Sequence, residues 1–265
     1  MGYLLAALLG GFLVFNGAAT PQKAATMAQS ALQKQYPGAN VEVQIEGKRG
    51  VDVLKGRFRR VRVGLSDVAL ADLPFTPPKN PKKIGRAAKI EVDLKRITWG
   101  NVPIDTARLD FQQVEYDFEA LRKQSQFQIV KMGPSQMRVQ LRGESLRPLF
   151  AARLQNIDEP EVHLEGNGLR VTGARTVLGL RTPVELTAGL IGVGNEVRLF
   201  EPQIRVGGVA LPAVATASLT KDVGSLYAFD REGRWPFTVR IDRVTAQNET
   251  LGIETSLTLK PVVGE

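Results

Sequence analysis

The chain has no cysteine and only one histidine among its 265 residues. The absence of cysteine excludes disulfide bonds and thiolate metal sites, and a single histidine excludes the usual zinc ligand sets. Aromatic residues make up only 6% of the chain, so aliphatic side chains must form most of the core. A core of valine, leucine and isoleucine favours β-sheet.

The motifs of the common enzyme classes are also missing. No serine lies in a Gly-x-Ser-x-Gly sequence, and Gly192–Gly194 precedes a predicted strand and lacks the third glycine of a dinucleotide-binding loop. His163 is expected on the solvent face of a strand because it alternates with Val162 and Leu164. Nearby carboxylates fit a turn and a solvated strand better than a calcium loop: Asp158, Glu159, Glu161 and Glu165. The sequence therefore predicts no catalytic residue, no metal site and no cofactor.

Charge is absent from the N-terminal segment before Lys23, and Gly2–Phe15 is almost entirely apolar. Such a segment inserts in a membrane or directs the chain across one. Its apolar part is shorter than the roughly 18–20 residues that span a bilayer, and Gly17 and Ala19 form a small-x-small pattern that suits signal peptidase. Residues 1–20 are expected to be a signal peptide or a membrane anchor, followed by one domain over residues 21–265. A helix packed on the body is the alternative.

The net charge of +8 lies outside this leader, and its clearest clusters are Lys55–Arg62 and Lys79–Lys89. A basic surface suggests a polyanionic partner. Phe58 lies among arginines as a base-stacking platform for nucleic acid would, but export separates the protein from nucleic acid, so an anionic membrane surface is the expected partner. Four cations are expected to dock there from a proline-rich loop, with an ordinary solvated loop as the alternative: Lys79, Lys82, Lys83 and Arg86.

Hydrophobic periodicity predicts a first helix from Thr20-Pro21 to Pro37-Gly38 and further helices over Asp117–Gln124, Ser145–Gln155 and Pro212–Thr220. Most of the remaining body alternates apolar and polar residues and is expected to be strand. The predicted strands include Val41–Ile45, Val53–Leu65, Ile90–Leu94, Ala107–Phe118, Met137–Leu141, Glu161–Glu165, Leu169–Thr172, Val184–Leu190, Glu196–Val206, Phe237–Val244 and Leu251–Leu259.

The alternation slips by one residue at Gln112-Gln113 and again between Ile241 and Val244, and such slips indicate bulges that bend a sheet. The predicted fold class is α+β, with a long curved antiparallel sheet wrapped around a few helices. Such a fold can leave an apolar interior that its own side chains do not fill.

The order of these elements resembles a known family. A leader runs into a short helix and a strand, and then into Leu54–Val63 with its Gly-x-Phe segment. Val114–Leu121 follows, then Met137–Arg142, the helix, repeated strands, Leu211-Pro212 and a closing strand pair. This order resembles the LmeA-like phospholipid-binding family of bacterial envelope proteins. The resemblance implies a tubular lipid-binding (TULIP-like) fold, a location in the cell envelope and a phospholipid or related acyl lipid as ligand, and it carries over no catalytic residue.

The resulting hypothesis is a non-enzymatic lipid-binding or lipid-transfer protein of the bacterial envelope. Acyl chains would lie between two helical stripes and the concave sheet: Met27, Ala31 and Leu32 on the first helix, and Leu146, Leu149 and Phe150 on the second. Apolar contact suffices for such a ligand, at roughly 0.8 kcal/mol per buried methylene. Two other hypotheses remain: a structural or adaptor protein with a filled core, and an enzyme that acts on envelope polymers through carboxylates. The sequence indicates no protein partner.

Overall fold

The computed structural model describes residues 20–47, 51–70, 81, 83–99, 102–120, 128–154, 157–177, 179–221, 223–229 and 237–260. Four helices lie within these ranges: α1 (Pro21–Gln35), α2 (Val51–Leu54), α3 (Gly143–Arg153) and α4 (Ala213–Thr220). The first seven strands are β1 (Asn40–Glu46), β2 (Arg57–Leu70), β3 (Ile84–Trp99), β4 (Val102–Asp117), β5 (Ile129–Lys131), β6 (Ser135–Arg142) and β7 (Asp158–Glu165). The other seven are β8 (Gly168–Val177), β9 (Leu180–Val193), β10 (Glu196–Val206), β11 (Val209–Ala210), β12 (Ser225–Ala228), β13 (Phe237–Gln247) and β14 (Thr250–Leu259).

Helix α1 begins and ends where its sequence predicts. The Thr20 hydroxyl accepts a hydrogen bond from the Lys23 N–H at 3.3 Å, and Pro21 occupies the first turn, where its missing N–H costs nothing. Ala28 and Leu32 have no exposed surface, since this side of the helix packs against β1. The predicted first helix is therefore confirmed.

Eight strands form a large sheet in the order β1-β2-β3-β4-β6-β14-β13, with β5 paired to β4. All neighbours in it are antiparallel except β2 and β3, which run parallel from the pair Arg57 and Arg86 to the pair Leu70 and Trp99. The remaining six strands form a small sheet in the order β11-β10-β9-β8-β7, with β12 paired to β10.

The two sheets meet along β13, the last strand of the large sheet. The Ile241 N–H donates to the Gly194 carbonyl at 2.7 Å, and the Asn167 N–H donates to the Ala246 carbonyl at 3.1 Å. Gly194 and Asn167 lie in the turns that join β9 to β10 and β7 to β8. Two hairpin turns of the small sheet thus cover the otherwise open edge of the large one, and the buried side chains of both sheets form a continuous core.

The long strands bend where the alternation slips. Gln113 has φ 49°, and the buried positions shift there from Phe111 to Val114. The β3–β4 register is the same on both sides of this point, so no residue is inserted in either strand. In β13 the register with β14 does shift between Ile241 and Arg243, as a bulge requires. The bulge predicted in β13 is confirmed, whereas the bulge predicted at Gln112-Gln113 is wrong, because the pairing of β3 and β4 passes this point without an extra residue.

The curved, mostly antiparallel α+β class is confirmed, but the predicted strand beginning at Val53 is wrong at its start. Val51–Leu54 form the short helix α2, and β2 begins only at Arg57. Residues 1–19, 71–80 and 121–127 lie outside the described residues, and they include most of the leader and of the predicted proline-rich loop. None of the described helices is both long and apolar enough to cross a bilayer.

Candidate apolar binding site

Helix α3 follows β6 directly and lies against β7 and the centre of the large sheet. Its first residue must be small, because a Cβ atom on Gly143 would come within 2.6 Å of the Val162 carbonyl oxygen. The Gly143 N–H donates to the Glu249 carbonyl at 3.0 Å, which fixes the start of the helix to the β13–β14 turn. Leu146 and Phe150 face the sheet and are buried.

An apolar pocket separates α3 from the concave face of the large sheet. Its walls come from β4, β6, α3, β10, β12, β14 and the residue that follows β12, and every lining side chain is aliphatic or aromatic. They are Val102, Ile104, Val139, Leu141, Leu146, Leu149, Val197, Leu226, Tyr227, Phe229, Leu251 and Ile253. The cavity that they enclose has a volume of about 20 Å³. The pocket is a narrow crevice with room for about one water molecule.

The mouth of this pocket lies between α3 and β12. Leu149 and Tyr227 are half-buried, whereas the other lining residues are buried. The Tyr227 ring meets Phe229 edge-on at 4.9 Å between centroids, and burial raises the pKa of Tyr227 to about 12. The Arg153 guanidinium donates to the Ser225 carbonyl and so ties the end of α3 to β12. This hydrogen bond and apolar packing therefore help to hold the two sides of the mouth together.

The lining contains no charged group and no acid–base pair. It can stabilise a hydrocarbon chain by burial, at roughly 0.8 kcal/mol for each methylene, but it offers nothing to polarise a reacting bond. Its chemistry suits a flexible apolar ligand, since apolar contact imposes no fixed orientation.

The predicted lining residues fall into three groups. Leu146 and Leu149 line the pocket, as their stripe on the predicted helix suggests. Phe150 is fully buried beside them in the core, and Leu32 is fully buried where α1 packs on β1, away from this pocket. The side chains of Met27 and Ala31 lie outside the described part of the structure.

Sequence reasoning placed the ligand against the concave sheet but named none of the sheet residues that line the pocket, and it missed β12. Ile104, Val139 and Ile253 belong to alternating strands, and alternation shows that they face inwards. It does not show which helix they face, because that depends on how the sheet curves. Leu226 and Tyr227 lie in a four-residue strand too short to give a periodic signal.

The four residues predicted to dock from a loop are not all in a loop. Arg86 lies in β3 and its Nε is 3.0 Å from a Glu115 carboxylate oxygen, so its placement in the loop is wrong. The Lys83 ammonium lies 5.1 Å from the centre of the Phe118 ring, and Lys79 and Lys82 are outside the described residues.

Phe58 and His163 are two further residues that the sequence analysis considered as candidate sites. Phe58 is buried, so a base-stacking platform at this residue is wrong. The Nδ1 atom of His163, which is exposed as expected, lies 3.2 Å from a Glu249 carboxylate oxygen. Within the described ranges, no group of three or more histidine or acidic side chains is placed to hold a metal ion.

Comparison with known proteins gives one match. No curated protein and no solved structure shows a significant similarity to the chain. A family model described as LmeA-like phospholipid-binding matches residues 84–256, about two thirds of the chain. The match begins at the first residue of β3 and ends within β14, so it includes every residue that lines the apolar pocket. The chain therefore belongs to the LmeA-like phospholipid-binding family.

Proposed function

We propose that this protein is a non-enzymatic phospholipid carrier that holds an acyl chain in the pocket between α3 and the large sheet. The observation that carries the proposal is the wholly apolar lining, in a chain whose family binds phospholipid. An acyl chain is long, flexible and uncharged, so it matches a crevice that offers only apolar contact.

Lipid uptake requires the pocket to widen, because its present volume has room for only about one water molecule. The mouth is the place to widen it, since Leu149 and Tyr227 are the only lining residues that are not buried. Separation of α3 from β12 would extend the crevice while the strands of the large sheet keep their hydrogen bonds. The polar headgroup would remain outside, since the buried side chains of the lining are all apolar.

The first test uses the full chain and a fluorescent phospholipid analogue. Leu149→Asp places a carboxylate at the mouth, and burying that charge against an acyl chain is costly. We expect it to weaken binding by more than about tenfold. The fold should survive because Leu149 is only half-buried.

Val193→Asp is the matched control, because Val193 is 42% exposed and lies outside the pocket. It should leave binding unchanged. If neither the wild-type protein nor the control takes up lipid, and native mass spectrometry of protein purified from cells finds none, the core is filled. The structural or adaptor hypothesis would then replace this one.

We also propose that the protein is located in the bacterial cell envelope. The uncharged apolar segment Gly2–Phe15 supports this location. A carrier there would move phospholipid between membranes or between leaflets. An alkaline phosphatase fused after Glu265 should be active in cells, because that enzyme folds only outside the cytoplasm. An inactive fusion of normal abundance would refute export. N-terminal sequencing of the exported protein then distinguishes a cleaved signal peptide from a retained anchor.

A further inference from the structure

The most exposed large aliphatic side chains of the described chain lie towards one end of the small sheet. Leu180, Val209 and Val214 are 72%, 70% and 84% exposed. We call these three residues the aliphatic tip. Leu180 begins β9, Val209 begins β11, and Val214 lies in the first turn of α4.

Backbone pairing brings their segments together. The Gly207 N–H donates to the Pro183 carbonyl at 2.8 Å, which places the β10–β11 turn beside the start of β9. Helix α4 begins three residues after β11 and packs on β10. The three residues of the aliphatic tip therefore lie in one region of the folded chain.

This region is also unusual in composition. The fifteen residues from Val206 to Thr220 contain no charged side chain. Within α4 only Thr216 and Thr220 are buried, so its aliphatic residues are left largely outside the core. Exposed apolar surface of this kind marks a contact site for another molecule or for a membrane.

Arginines flank the aliphatic tip. Arg175 at the end of β8 and Arg205 at the end of β10 are exposed, and neither forms an ion pair with another described residue. Arg181 is 71% exposed and lies 3.5 Å from a Glu159 carboxylate oxygen. The nearby Glu185 is engaged by Arg170 at 3.1 Å. Arg175 and Arg205, which pair with no acidic side chain in the described part of the chain, place positive charge beside exposed aliphatic side chains. This combination complements a membrane surface, where anionic headgroups cover an apolar interior.

We infer that the aliphatic tip and its arginines dock the protein on an anionic phospholipid bilayer. The inference rests on the proposed function, because a carrier of phospholipid must reach the membrane that supplies its ligand. The three side chains project from strand starts and a helix start, which suits shallow insertion among headgroups. Their arginines would add an attraction that salt screens.

The test is flotation of the full chain with vesicles of phosphatidylcholine, alone or mixed with phosphatidylglycerol. A Val209→Asp/Val214→Asp variant should lose more than about tenfold in affinity for the mixed vesicles, since two inserted side chains become charged. Both positions are at least 70% exposed, so the fold should be spared. An Arg175→Gln/Arg205→Gln variant should bind mixed vesicles more weakly and phosphatidylcholine vesicles as before.

Val193→Asp is the matched control, because Val193 is 42% exposed at the opposite end of β9. It should bind mixed vesicles as the wild type does. Unchanged flotation of the Val209→Asp/Val214→Asp variant would overturn the inference. So would loss of flotation only when Lys79, Lys82, Lys83 and Arg86 are replaced by glutamine.

A second copy of the chain is the other possible occupant of the aliphatic tip. A wild-type dimer that becomes monomeric in the Val209→Asp/Val214→Asp variant, with vesicle binding unaltered, would assign the tip to self-association and overturn the inference. Binding of a short-chain phospholipid in solution separates the two proposals. It should persist in this variant, and its absence in the wild type would refute the carrier function instead.

Discussion

Glu91 is a fully buried acidic residue in β3. It has no exposed surface, yet it lies on the face of β3 opposite the core-facing Ile90 and Val92. Cations from three strands cover it. Lys89 Nζ and an Arg108 guanidinium nitrogen lie 2.6 and 3.0 Å from one carboxylate oxygen, and Arg60 bonds the other. The side-chain hydrogen bond from Arg60, aided by Lys89, lowers the pKa of Glu91 to about 2 although burial opposes this.

Glu91→Gln should lower the free energy of unfolding by about 2 kcal/mol at neutral pH, because three cations lose their shared partner. A depressed carboxylate pKa stabilises the fold above the ordinary pKa of 4.5, and this contribution is lost as the pH falls towards about 2. The stability difference between wild type and variant should therefore shrink over that range. Urea unfolding at a series of pH values measures it.

Glu254→Gln provides the control for this series. Glu254 is 53% exposed and 3.8 Å from Arg138, an ion pair open to solvent. Its removal should change stability by less than about 0.5 kcal/mol. An equal loss at the two glutamates, or a Glu91→Gln effect that does not vary with pH, would show that the buried network contributes no specific stability.

At the scale of elements, local periodicity accounts for most of what the sequence predicts. The caps of α1, the alternation in β1 and β14, and the shift in β13 between Ile241 and Arg243 all depend on residues close in sequence. The buried stripe of α3 does too, and it is why Leu146 and Leu149 could be placed at the candidate site.

Pairing between distant strands is not visible in this way. The alternation of Val61 and Val63 is the same whether β2 runs parallel or antiparallel to β3, and the two strands are parallel. The division into two sheets likewise depends on hydrogen bonds from the Gly194 and Asn167 turns to β13. No single segment contains this information, so the sheet side of the pocket could not be read from the sequence.

An ion pair joins the neighbouring strands β2 and β3 at a bend. Asp67 in β2 and Arg96 in β3 have φ 62° and 47°, a conformation that side-chain-bearing residues seldom adopt. They lie at the same level of the parallel pair, between Ser66 opposite Lys95 and Val68 opposite Ile97. Their side chains form a two-pronged ion pair, with contacts of 2.6 and 2.7 Å. The pair joins two kinks, so β2 and β3 turn together and the sheet can curl.

At the scale of the whole molecule, the region that matches the family model is shorter than the folded domain. The match begins at residue 84, whereas the large sheet begins with β1 and β2. These earlier elements contribute Leu32, Val63 and Leu65 to the core, and β2 pairs with β3 along nearly its whole length. Arg60, the main partner of Glu91, also comes from β2.

We therefore expect residues 84–265 alone not to fold. Without β2, the sixteen residues of β3 present an unpaired edge, and an open edge of that length invites aggregation. Glu91 would also lose the hydrogen bond that most lowers its pKa. Size-exclusion chromatography and urea unfolding should show an aggregated or non-cooperative species, whereas a chain that begins at Thr20 should be monodisperse and unfold in one transition. If residues 84–265 unfold in one transition at the same urea midpoint, this expectation is wrong. The matched region would then form a stable core alone, and α1, β1 and β2 would add nothing to its stability.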